Sequence, residues 1–190
     1  MNTPNKITLS RIILIPFVIV FFLLAELEGL SYFKLISLGI MVLAEVTDFL
    51  DGYLARKNNQ VTSLGKFLDP IADKVLTISS LLLVVVDYTI PNPYGLIVTI
   101  IIVGRELAIS AFRQIAATKN FVMAADKWGK LKTLTQDIAI PVLFVMSYLT
   151  SIGVSVLAFN IVGYVLIGLA TLLTIISGIN YVVKNKEVLK

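Results

Sequence analysis

Apolar residues run along this chain in stretches of about 20 positions, the length a helix needs to cross the hydrocarbon of a bilayer. Six such stretches stand out, roughly at 8–27, 31–55, 67–88, 94–117, 130–149 and 154–183. Polar punctuation separates them. Pro91-Asn92-Pro93 is a turn signal, and Ser151-Ile152-Gly153 is a connection of small residues. The segment 118–130 mixes Lys, Asn, Asp and Gly and is expected in water or at the membrane interface. No repeat of 20–50 residues and no low-complexity segment interrupts the series. The pattern predicts an all-α polytopic membrane protein with six transmembrane helices, folded as a single membrane-embedded domain over residues 1–190.

Composition strengthens that reading. The chain is 57% hydrophobic and 15% charged, where a soluble domain carries about a quarter charged residues. Residues 12–25 imitate the core of a signal peptide, but no small-x-small cleavage site precedes the acidic Glu26 and Glu28, so a retained first span is expected. There is no His and no Cys. Zinc sites, thiol or imidazole catalysis and disulfides are thereby excluded, and acid–base work falls to Asp, Glu, Lys, Arg or Tyr.

The basic residues orient the spans. With six crossings, the N-terminus, the 56–66 loop, the 113–132 segment and the C-terminus share one side. That side holds Lys6, Arg11, Arg56, Lys57, Lys66, Arg113, Lys119, Lys127, Lys130, Lys132, Lys184, Lys186 and Lys190, 13 of the 16 Lys and Arg. Lys74 and Arg105 lie within spans near it, and only Lys34 falls opposite. Both termini are therefore expected in the cytoplasm.

Ionisable groups inside spanning segments are expensive and mark functional sites by default. Four aspartates follow a fixed spacing: Asp48-x-x-Asp51-Gly52-x-x-Ala55-Arg56, eight residues, then Gly65-x-x-x-Asp69-x-x-x-Asp73. Positions three or four apart share a helix face, so Asp48 pairs with Asp51 and Asp69 with Asp73. A turn between the helices would bring the pairs around one space, where four carboxylates repel unless cations sit between them. Oxygen ligands favour magnesium, manganese or calcium. The alternative is that these residues cap helices or pair with Arg56, Lys57, Lys66 and Lys74.

The string DFLDGYLAR, then KNNQVTSL, then GKFLDPIAD resembles the signature of the CDP-alcohol phosphatidyltransferases, with every fixed position matched and the spacer intact. The resemblance implies that family's fold and two divalent cations, Mg2+ or Mn2+, held by Asp48, Asp51, Asp69 and Asp73. It implies CDP-diacylglycerol as donor, bound by Gly52, Arg56, Thr62 and Gly65, with Asp73 as general base toward the acceptor hydroxyl. Small-residue helix packing is the alternative for both glycines. A homodimer among membrane lipids is expected from the same likeness, with no nucleic-acid partner.

The acceptor is read from downstream residues. Arg105 lies in an apolar run, Arg113 follows two turns after Glu106, and Lys130 and Lys132 open the fifth span. Together these four cations suit a dianionic phosphate. An Arg105–Glu106 ion-pair network and lysine anchoring to anionic lipid headgroups are the alternatives. The arrangement GREL…FR…GKLKT, with the opening PNKITLSR, is similar to the subgroup whose acceptor is sn-glycerol 3-phosphate. Inositol phosphate is the nearest rival acceptor. A divalent-cation transporter is the distant rival class, and it would need acids spread through the membrane depth.

Overall fold

The computed structural model describes the backbone of residues 3–57, 63–119 and 127–186, and the side chains of 8–47, 68–119 and 127–186. Six α-helices follow in order: α1 Thr3–Leu27, α2 Tyr32–Lys57, α3 Ser63–Val86, α4 Tyr94–Thr118, α5 Lys127–Ser151 and α6 Leu157–Lys184. No strand occurs among the described residues. Each helix matches one expected span, with ends displaced by a few residues. By length and composition, α1, α4, α5 and α6 can cross a membrane, a test that reaches only the described residues. For α2 and α3 that test is curtailed, because the side chains of 48–67 lie outside the description.

The breaks use the chemistry expected of them. Before α4, Gly95 N–H donates to the Pro91 carbonyl at 3.0 Å and Ile97 N–H to Pro93 at 3.1 Å. After α5, Gly153 takes φ +74°, a left-handed conformation that suits glycine, and its N–H donates to Thr150.

The chain packs as two compact units. The first comprises residues 1–89 and 143–155, so α1, α2, α3 and the last turns of α5. Val18, Phe22, Met41, Ala44, Leu81, Val84, Leu143 and Phe144 form its core. Phe22 meets Phe144 edge-on with centroids 5.0 Å apart. Its buried hydroxyls are satisfied, Ser37 by the Val18 carbonyl at 2.6 Å and Ser80 by Met41 Sδ at 3.3 Å. The second unit comprises residues 90–142 and 156–190, so α4, the first part of α5 and α6. Ile109, Phe112, Ala116 and Tyr181 join α4 to α6.

Large apolar side chains also point outward on every span: Ile13 and Phe17, Ile97 and Ile100, Leu172 and Ile179. In water such continuous apolar faces would drive association, whereas hydrocarbon solvates them. Thr171 and Thr174 donate to carbonyls one turn back at 2.7 and 2.6 Å. This is how hydroxyls are satisfied where no water reaches. The outcome is the all-α membrane protein that the hydropathy pattern predicts.

Candidate active site

Asp69 and Asp73 stand one turn apart on α3 because Leu68 to Lys74 continues the helix without interruption. Asp69 is half-buried, and Thr8 of α1 donates to its Oδ1 at 2.6 Å. Thr8 and Arg11, three residues apart on one face of α1, are both buried. Sequence reasoning assigned no role to Thr8, since a lone threonine in an apolar helix ordinarily bonds its own backbone. Asp73 is exposed. Lys74 donates to the Pro70 carbonyl at 3.2 Å. Glu45 of α2 is half-buried.

Asp48, Asp51, Gly52 and Arg56 belong to α2 and Gly65 to α3, but their side chains lie outside the described residues, as does Thr62 altogether. Among the described residues no three acidic side chains come together as a metal-holding group. The donor chemistry still fits a hard divalent cation. Asp69 and Asp73 supply carboxylate oxygens, and a chain without His or Cys has no soft ligand to compete.

The second unit assembles the cations. Arg105 donates to Glu106 Oε1 at 3.2 Å and to Ser177 Oγ of α6 at 3.0 Å. Lys132 of α5 is buried and donates to the same Glu106 oxygen. The ion-pair alternative for Arg105 is therefore present, and it also takes in Lys132. Arg113 is exposed, and its Nε donates to Tyr181 Oη at 2.9 Å. Its guanidinium lies over the Tyr181 ring, 5.4 Å from the centroid. Lys130 is exposed. Glu106 thus faces half-buried Arg105 and buried Lys132, with Arg113 and Lys130 exposed on the same unit. Among these five side chains the excess is positive. A buried donor, Arg105 Nε, has no hydrogen-bond partner among the described residues, and neither has the buried acceptor Gln136 Oε1 one turn beyond Lys132. Buried polar atoms left this way are costly and call for a ligand or water. Ser177, Tyr181 and Gln136 were missed by sequence reasoning because nothing local distinguishes them from other polar residues of spanning helices.

A helical membrane chain with oxygen-ligand aspartates in one unit and a group of cations in the other suits the handling of phosphorylated lipids. The family model described as CDP-alcohol phosphatidyltransferase matches residues 1–179, and the chain belongs to that family. It is 36% identical over 202 residues to a Bacillus subtilis protein named CDP-diacylglycerol–glycerol-3-phosphate 3-phosphatidyltransferase, covering 100% of this chain and 97% of the relative. A Rickettsia typhi protein of the same name is 36% identical, covering 95% and 94%. One from Haemophilus influenzae is 41% identical over 146 residues, 73% of each chain.

Proposed function

We propose that this chain transfers the phosphatidyl group of CDP-diacylglycerol to sn-glycerol 3-phosphate, giving phosphatidylglycerophosphate and CMP. The observation that carries the reading is the match along essentially the whole chain to relatives of that name. The complete aspartate signature over residues 48–73 accompanies it. Residues 1–190 act as one catalytic domain in the bacterial plasma membrane, with both termini and the active site cytoplasmic, and the working form is a homodimer.

Asp48, Asp51, Asp69 and Asp73 would hold two divalent cations, Mg2+ or Mn2+, which when bound offset the pyrophosphate charge and lower the pKa of the acceptor hydroxyl. Thr8 keeps the Asp69 carboxylate oriented. Gly52 and Gly65 leave room for the donor nucleotide, and Arg56 and Thr62 bind it. Arg105, Arg113, Lys130 and Lys132 receive the acceptor phosphate. Asp73 takes the proton of the acceptor hydroxyl, whose oxygen bonds to the phosphorus bearing the lipid. The bond from that phosphorus to the CMP oxygen breaks, and CMP leaves. A planar arginine fork meets a phosphate with two parallel hydrogen bonds, which favours a phosphorylated acceptor over serine.

The test is an acceptor screen on protein solubilised in detergent. Release of CMP should require a divalent cation and be supported best by glycerol 3-phosphate, ahead of inositol phosphate and serine. Equal or better turnover with inositol phosphate would reassign the acceptor.

A further inference from the structure

Two of the acceptor cations are seated on α6, a helix that contributes nothing to either sequence motif. Arg113 Nε bonds Tyr181 Oη at 2.9 Å while its guanidinium stacks on the ring. One turn earlier, Ser177 Oγ accepts from Arg105 Nη2 at 3.0 Å. Gly178 lies against the Arg105 stem, where an added Cβ would stand only 3.2 Å from Cγ. Positions 177, 178 and 181 share one side of α6. The facet is rigid. Tyr181 is buried edge-on against Phe112, with centroids 6.1 Å apart, and Ser177 is fully buried.

Resting on the acceptor reading above, we infer that Ser177, Gly178 and Tyr181 form the positioning facet of the acceptor-phosphate site, holding Arg105 and Arg113 ready for a dianionic phosphate. The choice of groups supports this. A hydroxyl orients an arginine and leaves its charge for the ligand, and the one carboxylate of Glu106 offsets only part of the charge of Arg105 and Lys132, which share it. With Nε of Arg113 engaged by Tyr181, the two terminal nitrogens form the edge that meets phosphate. An arginine already seated loses less rotamer freedom on binding than one that swings free. Gly178 lets the Arg105 stem pass close to the α6 backbone. A methyl group there forces the stem to give by a few tenths of an ångström.

The experiment measures CMP release by the full chain in detergent, titrating each substrate separately. Tyr181→Phe keeps the ring and its packing and deletes only the oxygen. The apparent KM for glycerol 3-phosphate should rise about fivefold, the worth of one ordinary hydrogen bond, because the hydroxyl acts on the phosphate only through the arginine, with the KM for CDP-diacylglycerol moving less than about twofold. Ser177→Ala should act in the same direction by about threefold. In an Arg113→Ala background, Tyr181→Phe should add less than about twofold, since the hydroxyl acts through that guanidinium. Unchanged acceptor KM in both single variants, multiplicative effects in the double variant, or equal shifts for both substrates would each overturn the inference. If the wild type turns over another phosphorylated alcohol but not glycerol 3-phosphate, the acceptor identity falls. The same titrations with that alcohol then decide the role of α6. A wild type that uses only unphosphorylated acceptors overturns both.

Discussion

Among the described residues, the clusters around Lys34 and around Glu106 both hold a buried lysine, and their charge balance is opposite. In the first unit Lys34 is 2% exposed, bonds Asp87 at 3.0 Å and Glu26 at 2.5 Å, and lies 5.4 Å from the Phe22 ring centroid. Thr89 donates to the other Asp87 oxygen at 2.6 Å, and Ser147 donates to that oxygen too. One buried cation lies between two carboxylates, so this cluster has no positive charge to spare for an anion. In the second unit Arg105 and Lys132 share the single carboxylate of Glu106, while Arg113 is held by a neutral hydroxyl. Positive charge is left over there. A satisfied network stabilises a fold, and a network with surplus charge attracts a ligand.

Five substitutions test that contrast, beginning with the largest expected effect. Asp73→Asn removes the proton acceptor at an exposed position and keeps the size of the side chain. CMP release should fall at least about a hundredfold, while the protein melts like the wild type and still binds CDP-diacylglycerol. Loss of donor binding in equal measure would make Asp73 a ligand rather than a base. Lys34→Met should behave in the opposite way. Removing the buried partner leaves the half-buried Asp87 without its cation and costs about 3 kcal/mol, read as a lower melting temperature in detergent, with acceptor KM retained. A raised acceptor KM at unchanged melting would erase the distinction between the two clusters.

Arg113→Ala or Lys130→Ala should raise the KM for glycerol 3-phosphate about tenfold with little change for the donor, because charge-assisted hydrogen bonds are worth about 1.5–3 kcal/mol. Donor weakening alone would move these residues out of the acceptor site. The smallest effect is expected from Thr8→Val, which keeps the shape and deletes the hydrogen bond to Asp69. The magnesium concentration for half-maximal activity should rise about threefold to fivefold. No change in metal requirement would make the Thr8 contact purely structural.

Much of this was legible from one dimension. A membrane span is a matter of length and apolarity, so α4 begins at the expected Tyr94 and α1 ends at the expected Leu27. A helix places i and i+4 on one face whatever surrounds it, and Asp69 and Asp73 accordingly share α3. The signature aspartates drew attention for a similar reason, since ionised groups in an apolar run have few inexpensive explanations.

Partners distant in sequence were not legible. Thr8 reaches Asp69 across 61 positions, Tyr181 reaches Arg113 across 68, and Ser177 reaches Arg105 across 72. A hydroxyl on a spanning helix can bond its own backbone one turn away, as Thr171 and Thr174 do, so sequence alone cannot distinguish a self-satisfied hydroxyl from one that seats an arginine. Lys34 stood out only as the lone basic residue on the wrong side, and packing reveals it as buried between two carboxylates. Hydropathy and spacing act within a helix turn or a span and are written along the chain. Which buried charge is closed and which is left for a ligand depends on the helices that meet, and that arises only when side chains far apart in sequence come within about 3 Å in space.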